Sequence, residues 1–237
     1  MACDWNGTLV DDRDRAWSAT CTVLEGRGLA APSLSRFLAE FRLPLASLFA
    51  HYGVPDGARD AIDDWNRAMA KLPVRAMPGA RRMLERIGAA RIPVAVVSAA
   101  AREVIERDLA LLGLEAHVGS VFGDADPKRE ALTKLARAHE GSVAFIGDTE
   151  YDMREANAAG AIAIGFAGGY RPPAALAEAG AAHVVERLDE LAALVTDGLS
   201  APREATPEAK GGMSRGTCDS SRRSAGESSV SAKEKEA

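Results

Sequence analysis

The chain runs to 237 residues, 47% apolar and only 5% aromatic, ample for a buried core in one large domain or a domain with an insertion. A net charge of −5 argues against a broad nucleic-acid or anionic-membrane surface; no apolar run reaches the roughly 18 residues of a membrane span, and no signal peptide precedes Asp4. Cys3, Cys21 and Cys218 are odd in number, far apart and without a C-x-x-C pair, so they read as free thiols in a reducing compartment, and a cytoplasmic protein is expected.

In chain order, Met1-Ala2-Cys3 is a very short strand: either it is stunted, or the true start lies upstream of this Met. From Arg13 to about Leu72 the pattern is helical. Trp17, Cys21 and Leu24 share one face; Leu34, Phe37, Leu38 and Phe41 repeat at i, i+3, i+4, i+7 after Pro32-Ser33; Leu45, Leu48, Phe49 and Tyr52 repeat that spacing until Gly53; Ile62, Trp65, Met69 and Leu72 form a fourth stripe. Four such helices bury their stripes against one another as a small bundle. From Pro78-Gly79 helices alternate with short apolar strands. Helices are expected over 80–87, 103–112, 128–139, 152–159, 174–178 and 188–195, and strands over 92–98, 118–122, 143–146, 161–166 and 183–185. Near-continuous apolar strands separated by helices predict an α/β fold with a doubly wound parallel sheet. The expected division is an α/β core of residues 1–12 and 78–200, an inserted helical segment over 13–77, and a disordered tail over 201–237. That tail is rich in Ser, Gly, Lys, Arg and Glu and too poor in apolar groups to offset its ordering entropy.

Asp4, Ser98 and Asp148 each follow a strand-like run, so all three are expected at the carboxyl edge of the sheet, where catalytic groups gather. Asp4-Trp5-Asn6-Gly7-Thr8 and Gly147-Asp148-Thr149-Glu150-Tyr151-Asp152 are each weak alone, since Asn-Gly is a common turn and an aspartate often caps a helix. Lys128 falls in the first turn of its helix, where the dipole disfavours a cation, which favours a nearby anion. Together the four features suit phosphoryl transfer: one carboxylate attacks phosphorus while others hold a divalent cation.

Taken in order, D-W-N-G-T, V-A-V-V-Ser98, Lys128 and F-I-G-Asp148-T-E-Y-Asp152 resemble the four motifs of the haloacid dehalogenase-like superfamily. The helical segment before Met77-Pro78-Gly79-Ala80 resembles the cap of its phosphoglycolate phosphatase-like branch. The resemblance implies a Mg²⁺-dependent phosphatase acting on a small phosphorylated metabolite, with phosphoglycolate the default, as a monomer or homodimer. It implies Asp4 as the nucleophile, and Asp4, the Asn6 carbonyl, Asp148 and Asp152 about the Mg²⁺. Thr8, Ser98, Ala99 and Lys128 would contact the substrate, with backbone N–H groups of Trp5, Asn6 and Ala99 as added donors. Arg42, between two cap helices, is a candidate anion contact, and Lys71, the only cap lysine, reads as a solvated helix end. Family phosphatases carry an aspartate where Asn6 stands, and an amide has no proton to give. Two rivals follow: a nearly inactive phosphate-binding module, and a transferase or mutase that passes the phosphoryl group to a second alcohol.

Overall fold

The computed structural model describes residues 1–55, 59–139 and 142–196; the disorder expected over 201–237, and Cys218 with it, lie outside them. Six strands form one sheet: β1 Ala2–Cys3, β2 Ala95–Val97, β3 Ser120–Phe122, β4 Ala144–Gly147, β5 Ile162–Phe166 and β6 His183–Val185. Their order is β3-β2-β1-β4-β5-β6 and every pairing is parallel. β1 is central although it spans two residues. Ala2 and Cys3 face Ala95 and Val96 on one side and Phe145 and Ile146 on the other. The strand expected over 92–98 is shorter than the apolar run, because β1 offers ladder partners only to Ala95 and Val96 and β3 only to Ala95, Val96 and Val97.

Alternation along these strands sorts the sheet into two cores. Cys3, Val96, Ile146 and Ile164 point to one face and pack on α5 (Ala80–Ala89), α6 (Arg102–Leu112) and α10 (Leu188–Thr196) through Leu84, Ile105 and Leu191. Ala2, Val97, Phe145 and Ala163 point to the other and pack on α7 (Lys128–Ala138), α8 (Glu150–Ala158) and α9 (Pro173–Glu178) through Leu132, Met153 and Leu176. Helices on both faces of an all-parallel sheet make the fold the expected doubly wound α/β type. No helix among the described residues is long and apolar enough to cross a membrane.

The four stripes of the amino-terminal half become α1 (Arg13–Glu25), α2 (Leu34–Glu40), α3 (Leu45–His51) and α4 (Arg59–Lys71), around a separate core that includes Phe37, Leu48, Phe49, Trp65 and Met69. The chain leaves and re-enters the sheet layer side by side. Asp11 N–H donates to the Arg75 carbonyl at 3.0 Å and Met77 N–H to that of Leu9 at 2.9 Å. A buried ion pair ties α1 to the sheet domain: Arg15 Nη1 lies 2.5 Å from Asp108 Oδ2 of α6, and its Nε donates to the Met69 carbonyl of α4. Burying both charges is tolerable because the fork of Arg15 is satisfied at both ends.

Candidate active site

The sheet order reverses direction between β1 and β4, and such a switch point opens a crevice at the carboxyl ends of the strands. Asp4 follows β1 and Asp148 follows β4, so the two carboxylates flank that crevice, with Ser98 beyond β2 beside them. Lys128, the first residue of α7, reaches into it with its side chain 1% exposed. Its Nζ lies 2.8 Å from Asp4 Oδ1 and 2.6 Å from Asp152 Oδ1. Burial disfavours the ammonium, but Asp152 and Asp4 outweigh it and lift the Lys128 pKa above its ordinary value. The cation that the helix dipole disfavours is thus held by two anions.

Asp152 is fixed by local sequence. Thr149-Glu150-Tyr151-Asp152 forms a capping box at the start of α8, with Asp152 Oδ2 accepting from Thr149 N–H at 3.0 Å and from its hydroxyl at 2.6 Å. For this reason α8 begins at Glu150, two residues before the expected Asp152. One oxygen of Asp152 therefore serves the helix cap and the other steers Lys128.

Asp4 Oδ1 accepts from Lys128 and also from Trp5 N–H at 2.7 Å. That backbone donor, expected for a phosphate, is spent on Asp4 itself. The arrangement leaves Oδ2 of Asp4 without a hydrogen bond from any described residue. Burial, only partly offset by Lys128, pushes the Asp4 carboxyl up to about 6. Asp148 is fully buried and is held by the Thr8 hydroxyl at 3.0 Å and by Tyr170 N–H at 2.8 Å. Thr8, expected among the substrate contacts, is therefore directed at Asp148. Gly7 (φ +74°) and Gly169 pack so closely on this carboxylate that a Cβ at either position would collide with it. Burial, then the charges of Asp152 and Asp4, raise the Asp148 carboxyl well above the usual carboxylate range.

Asp4, Asp148 and Asp152 bring one oxygen each within 4.8 Å of one another, all buried. Among the described residues one ammonium, that of Lys128, pairs with two of these three carboxylates, Asp4 and Asp152. An all-oxygen donor set with surplus negative charge fits a hard divalent cation.

Asn6, Ser98 and Ala99 line a small cavity with Asp4, Lys128 and Thr149. Ser98 Oγ accepts from Ala100 N–H at 3.3 Å, which leaves its own proton to donate. Opposite them stand Phe41, Leu43, Leu45 and Trp65 of the helical bundle. The space open to the centre of a water molecule is only ≈ 20 Å³, room for about one water, so an ester enters only when this wall moves. Arg42 does not reach the cavity: its side chain is exposed and Nε donates to the Glu40 carbonyl at 3.0 Å. Lys71 is exposed at the end of α4 and lines a different depression, with Thr22 and Arg27.

Three features escaped the sequence reading. Tyr170, on the loop after β5, holds Asp148 with its backbone and stacks on Phe41 at 4.0 Å between ring centroids. Asp12 is 1% exposed, its carboxyl pushed up to about 7 by burial and then by the charge of Asp4, and its Oδ2 has no partner among the described residues. Its neighbours Asp11, Arg13 and Asp14 are charged as well, so nothing in the local sequence singles it out. Thr149 did carry a legible signal, the T-x-x-D spacing of a capping box.

Residues 3–166 match the family model described as haloacid dehalogenase-like hydrolase. No curated protein matches the chain. Among solved structures, a "predicted phosphatase" from Clostridium acetobutylicum is similar at 20% identity and a TM-score of 0.74, covering 83% of this chain and 97% of that one. A haloacid dehalogenase-like family hydrolase from Streptococcus pneumoniae matches at 20% identity and 0.71, covering 82% and 96%. A "predicted phosphoglycolate phosphatase" from Haemophilus somnus matches at 17% identity and 0.64, covering 82% and 96%. At such identities the likeness shows the fold.

Proposed function

The chain belongs to the haloacid dehalogenase-like hydrolase family, and from that membership we propose that it is a Mg²⁺-dependent phosphatase that hydrolyses a small phosphomonoester through an aspartyl-phosphate on Asp4. The observation that carries this reading is Lys128 clamped between Asp4 and Asp152 at the sheet's carboxyl edge, beside the buried Asp148. Asp4, Asp148 and the Asn6 carbonyl, with Asp152 beside them, would hold Mg²⁺, which would supply charge neutralisation of the phosphate. The chain's own residues do the rest. Asp4 Oδ1 is occupied by Lys128 and Trp5, so Oδ2 attacks phosphorus and the P–O bond to the leaving group breaks. Lys128 and Ser98 hold the phosphoryl oxygens, and Asp152 keeps the ammonium in place. Water then cleaves the aspartyl-phosphate and restores Asp4.

Asn6 offers no proton to the leaving oxygen, so the reading favours esters whose leaving groups depart unprotonated. Loss of a general acid costs about 10²–10⁴-fold on poor leaving groups. Asn6→Asp is accordingly expected to accelerate hydrolysis of alkyl phosphates by about that factor while changing aryl phosphates little. Equal wild-type rates on alkyl and aryl phosphates would reject this role for Asn6.

The cation is tested apart from turnover. Protein stripped with chelator and returned to Mg²⁺ at about 100 times its dissociation constant gains about 2.7 kcal/mol, a rise in Tm of roughly 5–10 °C for a domain of this size. Asp148→Asn is expected to abolish that rise. A thermal scan that moves equally with and without Asp148 defeats the metal assignment.

A further inference from the structure

We propose that the group released from phosphate is small, uncharged and apolar, so that the substrate is the phosphate ester of an apolar alcohol or phenol and not a phosphorylated carboxylic acid or sugar. The inference rests on the phosphatase reading above and adds the substrate class. The cavity is divided by chemistry. Its sheet side offers the Asp4 carboxylate, the Asn6 amide, the Ser98 and Thr149 hydroxyls and the Lys128 ammonium, which suit phosphate and the ester oxygen. Its helical side offers Phe41, Leu43, Leu45 and Trp65, where the leaving group must lie.

That wall has no polar side chain free to give. The Trp65 indole N–H is spent on the Thr20 hydroxyl at 3.2 Å, deep in the bundle core. Both nearby arginines are committed. Arg42 sits between two wall residues in sequence yet turns its side chain out to the Glu40 carbonyl. Arg171 is bound by both Glu150 carboxylate oxygens at 2.9 Å and by the Phe41 carbonyl. Lys128, the one cation lining the cavity among its described residues, is held at the phosphate end by Asp4 and Asp152.

A leaving group with a carboxylate would lose its hydration against this wall and gain no partner. Several hydroxyls would meet the same penalty. An apolar ring or short chain instead exchanges water for Phe41, Leu43 and Trp65. Trp65 is tied to Thr20 within the bundle itself, so its indole N–H stays committed when the wall moves, whereas the Phe41–Tyr170 stack joins the wall to the sheet and is broken by that movement.

The test is a matched pair with Mg²⁺ present: phenyl phosphate against 4-carboxyphenyl phosphate, equal in phosphate and ring and differing in one charge. Wild type is expected to favour phenyl phosphate in kcat/KM by at least about 100-fold, the ratio that about 2.7 kcal/mol of rejection gives. Leu43→Arg, in the half-exposed loop, is expected to cut that ratio at least tenfold by raising turnover of the carboxylate, whereas Arg42→Ala leaves it unchanged. Comparable wild-type rates on the two esters, or a ratio that collapses in Arg42→Ala, overturn the apolar assignment while the phosphatase reading stands. Absence of turnover on every ester overturns both.

Discussion

Asp4→Asn is expected to lower kcat/KM by at least about 10⁴-fold, the scale seen when a covalent nucleophile is removed, and to leave a protein more stable than wild type at pH 8 without divalent cation. The two effects share one cause. An amide keeps the Oδ1 acceptor for Trp5 and Lys128 but cannot attack phosphorus. The wild-type carboxyl is pushed up to about 6 by burial, so the folded state holds its proton more tightly than the unfolded chain. Stability from this group is therefore complete at low pH and is lost as pH climbs from about 4 through about 6. The amide does not titrate and escapes that loss, a gain on the order of 1–3 kcal/mol at pH 8 that shrinks to nothing near pH 4. Denaturant melts of both proteins at pH 4 and pH 8, read beside phosphate release, separate this outcome from simple misfolding. An inactive variant that is also less stable at pH 8 would contradict the account of a strained carboxylate cluster.

How much of this could be read in advance divides by physical scale. Periodicity gave the ten α-helices of the described residues and the central strands β2, β4 and β5, because most bury a stripe or an apolar run and a local pattern reports that directly. Asp4, Ser98, Lys128, Asp148 and Asp152 were legible because each follows a strand or opens a helix, and the sheet then brings those ends together. The missed residues act through long-range packing. Tyr170 matters through its backbone, which no side-chain pattern records. The burial of Asp12 depends on what folds over it, so its identity alone gave no hint. Thr8 and Arg42 show the converse. Both had suitable chemistry for a ligand contact, but Asp148 stood within reach of one hydroxyl and the Glu40 carbonyl within reach of the other side chain. The apolar cavity wall was visible only as helix stripes. Leu43, which belongs to no stripe, joined it because the loop between α2 and α3 lies over the crevice.

Lys128→Met is expected to be the most damaging single change to the fold of the site. Methionine fills most of the same volume, so the effect isolates the charge. The lysine is fully buried between Asp4 and Asp152, and removing it strands two buried carboxylates without their counter-charge. Breaking a buried pair in this way costs about 3–5 kcal/mol, which lowers Tm by roughly 6–20 °C for a domain of this size. The pH dependence gives the mechanism away. The stabilisation from Lys128 itself persists up to its raised pKa, above the working range, so wild type does not lose it between pH 5 and 8. In the variant, Asp4 is without its main counter-charge and its carboxyl climbs above the wild-type value of about 6. Acidification then protonates it and relieves the repulsion. The deficit relative to wild type is thus largest at pH 8 and narrows toward pH 5, opposite to the trend expected if the lysine mattered only for packing. Phosphoryl contacts disappear together with the charge, and a fall of about 10²–10³-fold in kcat accompanies the loss of stability. A deficit that stays constant from pH 5 to pH 8 would show that Asp4 and Lys128 do not form the coupled pair on which the site is built.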